Sequence, residues 1–74
     1  MEMNWIPCSE RLPDDPGMDV IVCISGRDRN IIYDHAVIGG ENYYENGEWY
    51  IDNRRAAADV EVLAWMEHPE AYED

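Results

Sequence analysis

Apolar and polar positions along this chain fall into short runs with the length and period of β-strands. Val20-Ile21-Val22-Cys23-Ile24 is continuously apolar and rich in β-branched residues, and Ser25-Gly26 closes it. That pattern predicts a central strand buried on both faces. Arg27-Asp28-Arg29-Asn30 is polar and turn-like. Ile31 to Ile38 predicts a second strand stopped by Gly39-Gly40. Strict alternation puts Ile32, Ala36 and Ile38 on one of its faces and Ile31, Tyr33, His35 and Val37 on the other. Val60 to Met66 is the last strand, with Val60, Val62, Ala64 and Met66 on one face and Glu61, Leu63 and Trp65 on the other.

The strongest local signal is Tyr43-Tyr44-Glu45-Asn46-Gly47-Glu48-Trp49-Tyr50-Ile51. Asn-Gly supplies the two positive-φ positions of a type I′ turn, whose twist suits antiparallel strands. A hairpin with that two-residue loop sets Glu45 opposite Glu48, Tyr44 opposite Trp49 and Tyr43 opposite Tyr50. The facing glutamates are expected to splay into water. Pro13-Asp14-Asp15-Pro16-Gly17 can only be a loop. Asp52 to Asp59 holds a capping residue, two Arg and three Ala, which suit an irregular loop or a single helical turn leaning on the sheet rather than a full helix.

The predicted fold is therefore a single, mainly antiparallel β-sheet of four or five strands, curled toward a barrel, with one short helical segment. A small α+β arrangement is the alternative. The chain, residues 1–74, is one domain whose tail, 70–74, is expected to fray. A domain this small has only roughly 3–5 kcal/mol of net stability from its core, so its large residues serve the core first. Trp5, Pro7, Leu12 and Pro13 near the start and Trp65 near the end read as clasps, with Trp5 and Trp65 packed near each other or on neighbouring patches of one sheet.

Charge excludes some functions. Seventeen Asp and Glu stand against five Arg, a formal net charge of −12. Such a surface repels nucleic acid and anionic membrane, so direct binding to either is not expected. Cys8 and Cys23 read as reduced thiols. Met1-Glu2-Met3-Asn4 has neither the positive nor the apolar region of a secretory leader, and no run approaches the roughly 18 apolar residues of a membrane span. The protein is expected in a cytoplasm.

Catalytic constellations are missing from the sequence. His35 and His68 are isolated, no Gly-rich phosphate loop precedes a helix, and neither Cys-x-x-Cys nor His-Glu-x-x-His occurs. The pairs Asp14-Asp15 and Glu73-Asp74 sit in a loop and a tail, without the burial that tunes a general acid. No enzyme activity, cofactor or metal is expected.

Trp5-Ile6-Pro7 followed by Ser9-Glu10-Arg11-Leu12-Pro13, then Val20-Ile21-Val22, Gly47-x-Trp49, and Val62 with Trp65-Met66, resembles a family catalogued as domain of unknown function five-five-one, common in phages and prophages. Ala64 stands where that family often has His, and His68-Pro69-Glu70 replaces its Leu-Pro ending. The resemblance implies a small phage-type accessory domain, acting in the cytoplasm of the infected bacterial host, and carries over no catalytic residues.

Contact is then the expected mode of action. In the first form, carboxylates of Asp28, Asp34, Glu41, Glu45 and Glu48 ring the aromatics Tyr43, Tyr44, Trp49 and Tyr50, and this acidic, nucleic-acid-mimicking surface binds a basic host protein. The protein would be an inhibitor of a defence complex, an anti-CRISPR or other anti-defence protein. The alternative is a nucleotide-sequestering protein in which Arg27, Arg29, Arg54 and Arg55 hold the anion while an aromatic stacks on the base. A third form is a homo-oligomeric accessory domain pairing through an edge such as Ile31-Ile32-Tyr33.

Overall fold

The computed structural model describes residues 4–68. The expected frayed tail therefore lies outside the described residues. Six strands, β1 (Ile6–Pro7), β2 (Val20–Asp28), β3 (Ile31–Glu45), β4 (Glu48–Ile51), β5 (Arg54–Arg55) and β6 (Val60–Glu67), form one sheet in the order β1-β6-β2-β3-β4-β5. Every pairing is antiparallel. Among the described residues six strands replace the four or five expected, and the sheet is open rather than closed into a barrel. No helix occurs among the described residues, so neither the helical turn nor the α+β alternative holds.

The missing helix has a local cause. Asp52 and Asn53 both take positive φ, 54° and 60°, and form a two-residue turn that pairs Ile51 with Arg54. Asp and Asn tolerate the left-handed region, and a turn with two such positions matches strand twist. That chemistry outweighs the helix propensity of the following alanines. The Asn46-Gly47 turn is of the same kind, at φ 52° and 80°, and yields the three facing pairs that the sequence predicts.

Irregularities in β3 and β6 decide which side chains reach the core. Between Ile24↔Ala36 and Gly26↔Tyr33 the ladder carries an extra residue on β3, where His35 sits at φ 52° and its N–H donates to Ser25 Oγ at 3.0 Å. Such a bulge shifts the alternation by one, so Tyr33 joins Ala36 and Ile38 against the core instead of facing away from them. In β6 the register shift between Cys23↔Ala64 and Ile24↔Val62 skips Leu63, which places Val62 and Trp65 on one buried face rather than on opposite ones.

Gly39-Gly40 does not stop β3. The ladder passes from Val22↔Ile38 to Val20↔Asn42, and Gly40 takes φ 92°, so the glycines bend the strand and let it continue. The bend carries β4 back over β2, where Trp49 and Ile51 pack on Val20, Val22, Ile24, Val62 and Trp65. Asn42 fixes this corner from inside. It is fully buried, its Nδ2 donates to the carbonyls of Val20, Ile38 and Gly39 at 3.0, 2.9 and 3.1 Å, and its Oδ1 accepts the Asp52 N–H at 3.0 Å.

β2 is central, yet only one of its faces is core. Val20, Val22 and Ile24 are buried while Ile21 and Cys23 are half-buried, because no second layer covers the outer face among the described residues. The strand also runs through Ser25-Gly26 to Asp28. At Gly26, φ 129°, a Cβ would lie 2.0 Å from the Asp59 carbonyl oxygen, so the close approach of the segment before β6 admits only glycine.

The opening segment wraps Trp65. Ile6 pairs with Trp65 and Pro7 with Ala64, and the Cys8 N–H donates to the Leu63 carbonyl at 3.0 Å. The Trp65 indole N–H then donates to the Arg11 carbonyl at 3.0 Å, with the Arg11 guanidinium 5.2 Å from the ring centroid. Pro13 is buried, Leu12 half-buried and Pro7 exposed. Trp5 is half-buried beside this pairing and outside the core cluster, so the two tryptophans are not equal partners.

Candidate functional site

Two tight turns converge on one cleft. Arg29 lies in the β2–β3 turn at φ 57°, and Arg54 and Arg55 form β5 immediately after the Asp52-Asn53 turn. All three line a cleft of about 500 Å³. Ile24, Ile31, Tyr33, Ile51 and Val60 line it too, together with the carboxylates Asp28 and Asp52. Arg27 is exposed on β2 and outside the lining. Three of the chain's five Arg thus meet at one place in a protein of net charge −12. Arg55 is engaged by Glu48, whereas neither Arg29 nor Arg54 is in an ion pair among the described residues.

The acidic residues predicted to ring the hairpin lie in different local settings. Asp28 belongs to the arginine cleft, and Asp34 hydrogen-bonds His35 Nδ1 at 2.8 Å at the β3 bulge. Glu48 is drawn to Arg55 instead of splaying into water, while Glu41 is exposed beside the corner, its carbonyl accepting the Asn53 N–H at 2.8 Å. Glu45 remains half-buried opposite Glu48.

The hairpin aromatics do form pairs. Tyr43 stacks on Tyr50 at 4.9 Å, and Tyr44 meets Trp49 edge to face at 5.1 Å. Trp49 at the same time packs on the core, which restricts it as a recognition residue. The Tyr43 hydroxyl donates to Asn53 Oδ1 at 2.9 Å. Its pKa is raised, by desolvation first and then by Glu45, Tyr50, Asp19 and Glu41.

A family model described as "Protein of unknown function (DUF551)" matches residues 4–73. The chain belongs to this family. No curated protein and no solved structure matches it. In this DUF551 domain the residues that carry the family resemblance divide by role. Pro13 and Trp65 are buried, Gly47 makes the hairpin turn, and Trp49 packs on the core.

Both cysteines of the DUF551 domain are free. Burial, then the Glu61 charge, raises the Cys8 thiol pKa, which disfavours the reactive thiolate. Among the described residues no group of three or more His, Cys, Asp or Glu could hold a metal ion, and no helix is long and apolar enough to cross a membrane.

Sequence reasoning missed Tyr33 as a wall of the cleft and Asn42 as the corner clamp. The signal for the cleft was present. Asp52-Asn53 between Ile51 and Arg54 has the pattern of a two-residue hairpin, and reading it so brings Arg54-Arg55 back beside the sheet.

Proposed function

We propose that this DUF551 domain is a non-catalytic binding protein whose arginine cleft captures a small anionic ligand of the nucleotide type. Support comes from the convergence of Arg29, Arg54 and Arg55 on one cleft that Tyr33 and Ile51 also line. Arginine offers a planar fork of donors suited to phosphate, and Tyr33 supplies an aromatic wall for a base. Capture without turnover would suit a phage-type accessory protein in the cytoplasm of an infected bacterium, by removing a nucleotide signal from circulation. A thermal-shift screen of mono-, di- and cyclic nucleotides tests it. A ligand at a hundred times its dissociation constant adds about 2.7 kcal/mol, which moves the melting temperature by roughly 10–20 °C in a domain of this size. Arg29→Ala with Arg54→Ala should abolish the shift and leave the unliganded melt nearly unchanged, since both side chains are exposed. No shift with any nucleotide, or a shift that survives both substitutions, would sink the proposal.

A second function rests on charge. Exposed Asp14, Asp15, Asp19, Glu41, Asp59, Glu61 and Glu67 support an electrostatic contact with a basic host protein, as in an anti-CRISPR or other anti-defence inhibitor. A pull-down from host lysate should then retain a basic protein whose recovery falls as salt rises. Recovery of nothing, or of a partner indifferent to salt, counts against it.

A further inference from the structure

We propose that the protein forms a two-fold dimer in which the free edge of β3, residues 31–38, pairs antiparallel with the same edge of a second copy. β2 occupies one side of this stretch, and β4 pairs only with Tyr43, Tyr44 and Glu45, so the other side has no strand partner among the described residues. The two terminal edges are poor templates. β1 is Ile6–Pro7, short and interrupted by a proline, and β5 is Arg54–Arg55, where self-pairing sets arginine against arginine. The β3 edge differs from both. It exposes Ile31, Ile32 and Val37 at 54%, 71% and 55%, and carries one acidic residue, Asp34, of the chain's seventeen.

A second copy is the occupant because the segment is complementary to itself read backwards. An axis between Asp34 and His35 opposes Asp34 to His35 of the second copy, Ile32 to Val37, Ile31 to Ile38 and Tyr33 to Ala36. Every apolar residue meets an apolar or aromatic one, and the Asp34–His35 pair of one copy, joined at 2.8 Å, meets the same pair of the other with carboxylate against imidazole. The His35 bulge lies at the axis, so both strands carry the same extra residue there and the register holds on either side. Across that bulge Ile32 and Val37 fall on one face, opposite the face of Tyr33 and Ala36, and give two symmetric Ile–Val pairs per dimer.

Sedimentation equilibrium from micromolar to millimolar protein tests the dimer. The expected result is a monomer–dimer equilibrium that tightens as salt screens the repulsion between two chains of net charge −12. This is opposite in sign to the salt response of a basic partner. Ile32→Glu should weaken dimerisation roughly tenfold to a hundredfold with the monomer melt unchanged, because each substitution appears twice at the interface. His35→Asp, tolerated at positive φ, should weaken it by opposing two carboxylates, and adding Asp34→His should restore it to within a few-fold. A monomer at all concentrations, or a dimer indifferent to Ile32→Glu and His35→Asp, overturns the proposal.

Discussion

Asn42→Asp should unfold this protein at neutral pH and allow partial recovery in acid. The Asn42 amide nitrogen faces three carbonyl oxygens, those of Val20, Ile38 and Gly39, from a fully buried position. Aspartate replaces those N–H donors with a second acceptor oxygen and adds a charge that keeps the Asp52 N–H as a donor but faces three carbonyls and no cation among the described residues. An uncompensated buried charge costs about 3–5 kcal/mol, comparable to the entire net stability of a domain this small. The carboxyl escapes part of that cost by taking up a proton, which restores one donor. Its folded-state pKa then lies above the unfolded value of about 3.9, so the penalty is smallest below that pH and grows as pH rises through the folded value. Thermal melts of variant and native protein, compared pH by pH, should show the difference narrowing toward acid. A variant that melts with the native protein at neutral pH would mean that the corner does not depend on this clamp.

Trp65→Ala should be equally severe, and Trp5→Ala should not. Trp65 is 2% exposed at the centre of the core, and its indole N–H satisfies the Arg11 carbonyl. Truncating such a side chain costs roughly 3–5 kcal/mol and releases the opening segment from its anchor. Trp5 is half-buried and outside the core cluster, so its loss should cost about 1–2 kcal/mol and leave a folded domain. Circular dichroism melts of both variants separate the cases. Retained folding in Trp65→Ala alongside unfolding in Trp5→Ala would reverse the two roles.

The parts of this fold legible from sequence were those with local causes. Asn46-Gly47 specified a hairpin and its cross-strand pairs from two residues, and the β-branched run at Val20 specified the central strand. Face assignment failed wherever a single extra residue entered a ladder. His35 and Leu63 look like ordinary strand residues, and only the pairing with β2 shows that each shifts the alternation. Gly39-Gly40 read as a stop because glycine commonly ends strands, whereas Asn42, three residues past the start of that pair, holds the chain through the bend. The site suffered for the same reason. Arg29 and Arg54 are far apart in sequence, and their place on one cleft depends on that bend and on a two-residue hairpin turn read from sequence as a loop or a single helical turn.

The pairing of Ile6 with Trp65 also sets an order of events. β2, β3, β4 and β5 follow one another through three two-residue turns, so each ladder can zip from a short loop on the microsecond scale of hairpins. β6 must instead return past β3, β4 and β5 to reach β2, and β1 can dock only after β6 is in place. Loop-closure entropy delays those contacts. β1 is therefore expected to be the last strand to close, the hairpins of residues 20–55 forming first and β1 and β6 meeting at Trp65 to finish the core.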